Sequence, residues 1–213
     1  MTLNLYFAPL ACSLATRIAF YEAGATAEFT QVDLKSKRLV ASGRDFAEIN
    51  RLMQVPALGI DGQTVLTENT AVLQFVANQF PAAKLAPTSG LEHARMQQWL
   101  GFIGTELHKA IYGPLLDRKA SDAAKEYARS KVQSRFALLE DHFATHEYAI
   151  ERFSIVDAYL TTVLNWSEAA GVDLQPWPAV RGYFDRMLQR PSVARARGEE
   201  YALYKEERLR QAS

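Results

Sequence analysis

The sequence has few of the features that would point to a charged partner or a membrane. Lysine plus arginine equals aspartate plus glutamate, at 24 each, so the formal net charge is zero. That balance gives no electrostatic basis for binding nucleic acid or an anionic lipid surface. The apolar runs are short and interrupted, and residues 1–6 lack the basic region and long apolar core of a signal peptide. We therefore expect neither a membrane partner nor a secreted protein.

Cysteine occurs once, at Cys12. A single thiol cannot form an internal disulfide, which fits a reducing compartment, so the predicted location is the cytoplasm. The missing second cysteine also excludes an internal dithiol redox cycle, and any disulfide chemistry must use an external thiol. His142 and His146 are four residues apart, but no carboxylate or cysteine completes a metal-ligand set with them, so no metal is expected.

The first 80 residues alternate between strand and helix patterns. Residues 3–7 are strand-like, residues 13–23 place apolar side chains at helical spacing, and residues 28–32 return to a strand pattern. Asp61-Gly62 separates two short β-prone runs, which is typical of a hairpin, and a helix follows over residues 68–79 with Thr67 as its expected cap. With a short helix near residue 46, the order is β-α-β-(α)-β-β-α. It predicts a small mixed sheet with helices on its faces.

The rest of the chain has a helical pattern. Residues 81–90 contain two prolines, Ser89 and Gly90, which is typical of a linker. Beyond it, apolar residues recur every three or four positions, and Ser154 with Asp157 forms a capping box at the start of one helix. We predict an α/β domain over residues 1–80, a linker over 81–90 and an all-α helical bundle over 91–213.

Cys12 is the first candidate for chemistry. It follows the first predicted strand, where the first helix begins. A thiol at a helix N-terminus faces unpaired N–H groups and the positive end of the helix dipole, and both favour the reactive thiolate. The alternative is a small buried apolar residue. The position alone leaves both open.

Two segments of the first domain are candidate binding elements. Pro56 stands just before the third strand, and a cis Val55–Pro56 bond would turn the Val55 backbone towards an extended, peptide-like ligand. An ordinary trans proline is the alternative. Thr67-Glu68-Asn69 opens a helix, where N–H groups bind a carboxylate and an acidic side chain meets an amino group. Helix capping alone is the alternative there.

A third candidate lies in the helical half. Gly101, Thr105, His108 and Tyr112 follow one another at helical steps of four and three, beside an apolar stripe. The first half of this row is small, which leaves room for another molecule to pack. A surface histidine with no chemical role is the alternative for His108.

Seven segments in this order resemble the glutathione transferase superfamily, most closely its bacterial beta class. They are APLACSL at 8–14, VDLKSK at 32–37, N at 50 with QVPAL at 54–58, LTEN at 66–69, WL at 99–100, TELHK at 105–109 and RFSIVDAYL at 152–160. The resemblance covers nearly the whole chain. It implies an α/β thioredoxin-like N-terminal domain and an all-α helical-bundle C-terminal domain.

The resemblance also implies an activity. The expected protein is a cytoplasmic homodimeric enzyme of detoxification that uses glutathione as co-substrate and holds no tightly bound cofactor. Its second substrate would be a small hydrophobic electrophile or a peroxide. The reactions implied are glutathione transfer to electrophiles, thiol-disulfide exchange and peroxide reduction, the last two through Cys12.

Residue roles follow from the same resemblance. Cys12 meets the glutathione sulfur, with His108 as a second catalytic residue. Val55 pairs with the cysteinyl backbone of glutathione beside a cis Pro56, and Lys37 meets its glycine carboxylate. The remaining glutathione-binding positions are Glu68, Asn69, Gly101 and Thr105.

Two of these positions depart from the class pattern. Asn69 stands where a small serine or glycine is usual, and Gly101 stands where the class carries an asparagine that contacts glutathione. Both changes favour a second hypothesis, in which the fold serves as a non-catalytic binding or interaction protein with a decayed site. Retention on immobilised glutathione together with turnover of an aryl halide separates the two.

Overall fold

A computed structural model describes residues 1–212 of the chain. By proximity of their Cα atoms, the residues fall into two compact units: the first holds Met1–Ala86 together with the last helix, and the second holds Pro87–Arg190. The elements of the first unit are β1 (Leu3–Phe7), α1 (Leu14–Glu22), β2 (Glu28–Asp33), β3 (Arg38–Leu39), β4 (Ala57–Ile60), β5 (Thr64–Thr67), α2 (Asn69–Gln79) and α9 (Pro191–Ala212). Short 3₁₀ turns cover Phe46–Glu48 and Pro81–Ala83.

The first unit is built on a five-stranded mixed sheet with the order β3-β2-β1-β4-β5. β1 pairs parallel with β2 and antiparallel with β4, while β5 and β3 are antiparallel additions at the two edges. Alternate side chains of β1 are buried, which explains its alternating pattern. β3 was not predicted, because a strand of two residues is too short to create a recognisable alternation.

The register of the sheet brings three chain segments to one end. Tyr6, near the end of β1, is opposite Ala57 at the start of β4, and Ala57 is opposite Thr67 at the end of β5. The chain that leaves β1, the chain that enters β4 and the chain that leaves β5 therefore lie next to one another. We call this end of the sheet the 6–57–67 edge.

The last helix, α9, belongs with the first unit. Val193 and Ala196 are buried, and the Ser192 hydroxyl donates to Glu22 of α1 over 2.6 Å. The sequence placed this segment in the helical domain over 91–213. The predicted domain boundaries stay a prediction, and their end at residue 213 lies outside the described residues.

The second unit is helical. Its elements are α3 (Gly90–Phe102), a π-helix (Ile103–Tyr112), α4 (Gly113–Leu116), α5 (Asp122–Phe143), α6 (Ile155–Leu164), α7 (Ser167–Ala170) and α8 (Pro178–Leu188). All residues of α6 are buried, so it is the core helix of this unit. The predicted capping box is present, since the Ser154 hydroxyl accepts from Val156 N and Asp157 accepts from Ser154 N. Among the described residues, none of the helices combines the length and the hydropathy of a membrane span.

Candidate active site

Cys12 lies in the loop between β1 and α1 and is half-buried. Its Sγ donates to the carbonyl oxygen of Val55 over 3.1 Å, across the 6–57–67 edge. The N–H groups of residues 14–17 donate to the backbone carbonyls of residues 11–13. The sequence led us to expect the thiol to face unpaired N–H groups. In the structure, these N–H groups are hydrogen-bonded within the first turn, and the thiol contacts a carbonyl oxygen instead.

Three successive backbone carbonyls, those of residues 53–55, each accept a hydrogen bond from a different side chain. Lys37 Nζ donates to the first over 3.3 Å, Asn50 Nδ2 to the second over 2.8 Å and Cys12 Sγ to the third over 3.1 Å. The candidate residues Lys37, Val55 and Cys12 are thus connected through one stretch of backbone. The segment before β4 is held in a single orientation by these contacts.

Asn50 belongs to one of the segments that carry the family resemblance, but the sequence led us to assign it no role in the site. Its side chain is buried. Its Oδ1 accepts a hydrogen bond from Leu52 N over 3.1 Å, and its Nδ2 donates one to the carbonyl oxygen of Gln54. The Val55–Pro56 bond that follows is cis, as the resemblance implied. The motif that pairs Asn50 with residues 54–58 was the sequence signal for this residue, and it did not indicate which backbone groups the side chain contacts.

The start of α2 contains two candidate residues in unusual environments. Glu68, at the N-cap position, has φ +70° and ψ +119°, and a positive φ is uncommon outside glycine. Asn69 is only 8% exposed, and neither atom of its side-chain amide has a hydrogen-bond partner among the described residues. Thr67 is the last residue of β5 and not the helix cap we expected. An amide that is buried without a partner can bind a polar ligand at little further desolvation cost.

His108 lies in the π-helix of the second unit. Its Nδ1 is 2.7 Å from the hydroxyl of Tyr159, and its ring packs edge-on against Trp166. Burial, with a smaller contribution from the positive charge of Lys109, lowers the pKa of His108 to about 4. The imidazole is therefore neutral near pH 7. Tyr159 was missed as a partner, because it is 51 residues away in sequence.

Gly101 and Thr105 lie on one turn of the second unit. The Thr105 hydroxyl donates to the Gly101 carbonyl over 3.0 Å, and both residues are exposed. A Cβ added at Gly101 would meet no atom within 4 Å. Among the described residues no group of histidine, cysteine and acidic side chains is arranged to hold a metal ion.

Two family models match this chain, one in its N-terminal part and one in its C-terminal part. The sequence model described as Glutathione S-transferase, N-terminal domain matches residues 1–78, and that of Glutathione S-transferase, C-terminal domain matches residues 102–191. Glutathione S-transferase GstA of Escherichia coli O157:H7 is 34% identical over 90% of this chain and 95% of its own length. The chain belongs to the glutathione S-transferase family.

Solved structures of this family are close to the fold described above. A sphingomonad glutathione S-transferase complexed with glutathione is 40% identical, with a TM-score of 0.87 over 92% of this chain and 98% of that one. A bacterial beta class glutathione S-transferase from Sphingomonas chungbukensis is 39% identical, with a TM-score of 0.87 over the same shares. The predicted family, the fold class and the enzyme class of glutathione transferase are confirmed.

Proposed function

We propose that this glutathione transferase binds glutathione against its first unit, at the 6–57–67 edge, with the glutathione sulfur at Cys12. The observation that carries the proposal is the 3.1 Å contact between Cys12 Sγ and the carbonyl of Val55. It places a half-buried thiol beside backbone polar groups at the start of a strand. An extended peptide binds such backbone groups by adding its own hydrogen bonds to them.

The charges of the candidate residues match the two ends of glutathione. The γ-glutamyl end carries an amino group and a carboxylate, and Glu68 with the unpartnered amide of Asn69 offers an acceptor for the first and a donor for the second. Lys37, whose ammonium lies 3.3 Å from the Met53 carbonyl, offers a cation for the glycine carboxylate at the other end. The site therefore recognises the tripeptide by its termini and holds its sulfur between them.

The chemistry proposed for Cys12 is thiol-disulfide exchange with glutathione. The Cys12 thiolate attacks one sulfur of oxidised glutathione, a Cys12–glutathione disulfide forms, and glutathione thiolate leaves. Reduced glutathione resolves the mixed disulfide by the reverse attack, since the chain contains no second cysteine. Transfer of glutathione to small hydrophobic electrophiles and reduction of peroxides belong to the same proposal.

The contributions of Gly101, Thr105 and His108 stay predictions, as do the cytoplasmic location, the role in detoxification and the homodimer. Light scattering at micromolar concentration tests the last of these. A particle mass near 23.9 kDa contradicts a homodimer.

Mass spectrometry and kinetics test the site together. Wild type treated with oxidised glutathione should gain one glutathione, and Cys12→Ala should gain none. Recognition should make the adduct form at least about tenfold faster with oxidised glutathione than with hydroxyethyl disulfide, which has no charged ends.

Lys37→Ala should remove much of that preference. Lys35→Ala, an exposed lysine in the same turn, is the matched control and should keep it. Equal rates with both disulfides in the wild type contradict a glutathione site and favour the non-catalytic alternative.

A further inference from the structure

Glu200 of α9 is a fully buried acidic residue that contacts the loop carrying the thiol. Its Oε2 accepts a hydrogen bond from the backbone N–H of Leu10 over 2.7 Å, although the two residues are 190 positions apart. Leu10 precedes Cys12 by two residues. The last helix of the first unit therefore contributes a side chain directly to the loop of residues 8–13.

The backbone of this loop has an unfavourable conformation where Glu200 holds it. Leu10 has φ +59°, in the left-handed region that a residue with a Cβ rarely adopts. Such a conformation persists when the surrounding contacts determine it, and it is found near functional sites. Ser13 fixes the other side of the loop, because its buried hydroxyl lies 3.3 Å from both the N–H and the carbonyl of Ala8.

The other carboxylate oxygen of Glu200 is fixed by a cation. Arg17 Nε lies 3.0 Å from Glu200 Oε1, and both side chains are almost fully buried. The Arg17 guanidinium carbon lies over the rings of Phe7 and Phe29, at 4.3 and 4.1 Å from their centroids. A buried ion pair contributes little net stability compared with apolar packing, but it fixes orientation. Arg17 thus places a positive charge beside the carboxylate oxygen that does not bind Leu10.

We propose that Glu200 is a positioning residue for Cys12, holding the left-handed turn at Leu10 that sets the thiol against the Val55 carbonyl. The inference rests on the proposed role of Cys12 and adds to it a component from the far end of the chain. Because the hydrogen bond to Leu10 is charge-assisted, its strength depends on the ionisation of Glu200.

Several charged groups face Glu200. Arg17 of α1 forms an ion pair with Glu200. Glu199 is the neighbour of Glu200 on α9, and the Glu199 carboxylate contacts Arg17 and Tyr21. Burial is the largest influence and raises the pKa of Glu200 to about 7, against the opposing effect of Arg17. The positioning contact therefore weakens as the pH falls through neutrality.

The test uses the full chain and the rate constant of the Cys12 reaction with oxidised glutathione, measured from about pH 5.5 to about pH 9. Glu200→Gln retains the shape and an acceptor for Leu10 but removes the charge. It should lower the rate about tenfold above neutrality, and the ratio of the wild-type to the variant rate constant should fall towards one as the pH falls through the pKa of Glu200. The pH dependence that comes from ionisation of Cys12 itself is common to both proteins and cancels in this ratio. Glu207→Gln is the control, since it likewise removes one negative charge and keeps an acceptor, at a different contact of α9, the one to Gln31 of β2.

The rate constant of the Glu207→Gln variant and its dependence on pH should equal those of the wild type. An unchanged rate and profile in Glu200→Gln, or an equal loss in Glu207→Gln, overturns the inference. If the wild type does not react at all, the proposed function fails, whereas a reactive wild type with an unchanged Glu200→Gln contradicts only the positioning role.

A measurement on the wild type makes the test independent of whether the variant folds. The amide proton of Leu10 in an NMR spectrum should shift with a midpoint near the pKa of Glu200 as the pH is varied. A Leu10 amide signal that stays constant through neutrality overturns the inference.

Discussion

The Nδ1 atom of His108 lies 2.7 Å from the phenolic oxygen of Tyr159. Tyr159 belongs to α6, the core helix of the second unit, and is itself buried. The contact fixes the orientation of the imidazole ring, and the burial that accompanies it keeps the ring uncharged. Any part that His108 takes in the reaction near pH 7 is therefore that of a neutral hydrogen-bonding group.

We expect the ring signals of His108 not to titrate between about pH 5.5 and about pH 8. The folded-state pKa of about 4 lies below the ordinary value of 6.5, so the folded chain binds fewer protons than the unfolded chain between those values. The contribution of neutral His108 to the free energy of unfolding is therefore complete above pH 6.5 and is lost as the pH falls towards 4. NMR titration tests this, with His108→Gln to assign the signals. A midpoint above about pH 6 contradicts it.

Asn69→Leu should stabilise the chain and weaken glutathione binding. The buried amide has no protein partner among the described residues, so its removal from the unliganded protein should gain about 1 kcal/mol or more. Loss of the proposed contacts to the γ-glutamyl end should raise the dissociation constant of glutathione about tenfold or more. Urea unfolding and calorimetry measure the two effects.

Asn78→Leu is the matched control for Asn69→Leu, since Asn78 is an exposed asparagine of the same helix. It should change neither quantity appreciably. Unchanged glutathione affinity in Asn69→Leu would remove Asn69 from the site.

The strands and helices could be predicted where a pattern spans several residues. β1, α1 and β2, the Asp61-Gly62 hairpin and the helices of the second unit all have alternation or helical spacing. The π-helix over Ile103–Tyr112 could not be predicted, because apolar residues there follow ordinary helical steps and the altered hydrogen bonding has no sequence signature.

The candidate site could be predicted only where it is local in sequence. The motifs around Cys12, Pro56 and Glu68 are short segments, and the sheet register brings them to one edge. Glu200 and Tyr159 act across long separations that no local pattern encodes. One signal existed for Glu200, which continues the buried row of Val193 and Ala196 at helical steps and so places a charge where an apolar residue is expected.

Asp157 makes the stability of the second unit dependent on pH. Its carboxylate is fully buried and accepts from Ala149 N, from the N–H and hydroxyl of Ser154, and from the hydroxyl of Tyr183. Burial raises its pKa from 3.8 to about 6. The folded chain therefore binds more protons than the unfolded chain between these values, and stability is lost as the pH rises through 6.

Relative to Asp157→Asn, the wild type should lose about 1.4 kcal/mol of unfolding free energy between about pH 5 and about pH 7. The asparagine has no ionisation, so the difference between the two proteins isolates this group. Urea unfolding at both pH values measures it. A constant difference between wild type and variant would show that Asp157 does not change its ionisation in this range.

Gly101 offers a test that separates stability from binding. A Cβ at this position meets no atom within 4 Å, and the residue lies near the end of α3. Gly101→Ala should therefore stabilise the chain by about 1 kcal/mol, the cost of glycine in a helix.

Gly101→Asn adds a side-chain amide, and a hydrogen bond to a charged group of glutathione is worth roughly 1.5–3 kcal/mol, or about one to two powers of ten in affinity. Calorimetry should find tighter glutathione binding in Gly101→Asn than in Gly101→Ala, which is the matched control. Equal affinity in the two variants would mean that position 101 does not contact glutathione, and the predicted role of this helix turn would then be wrong.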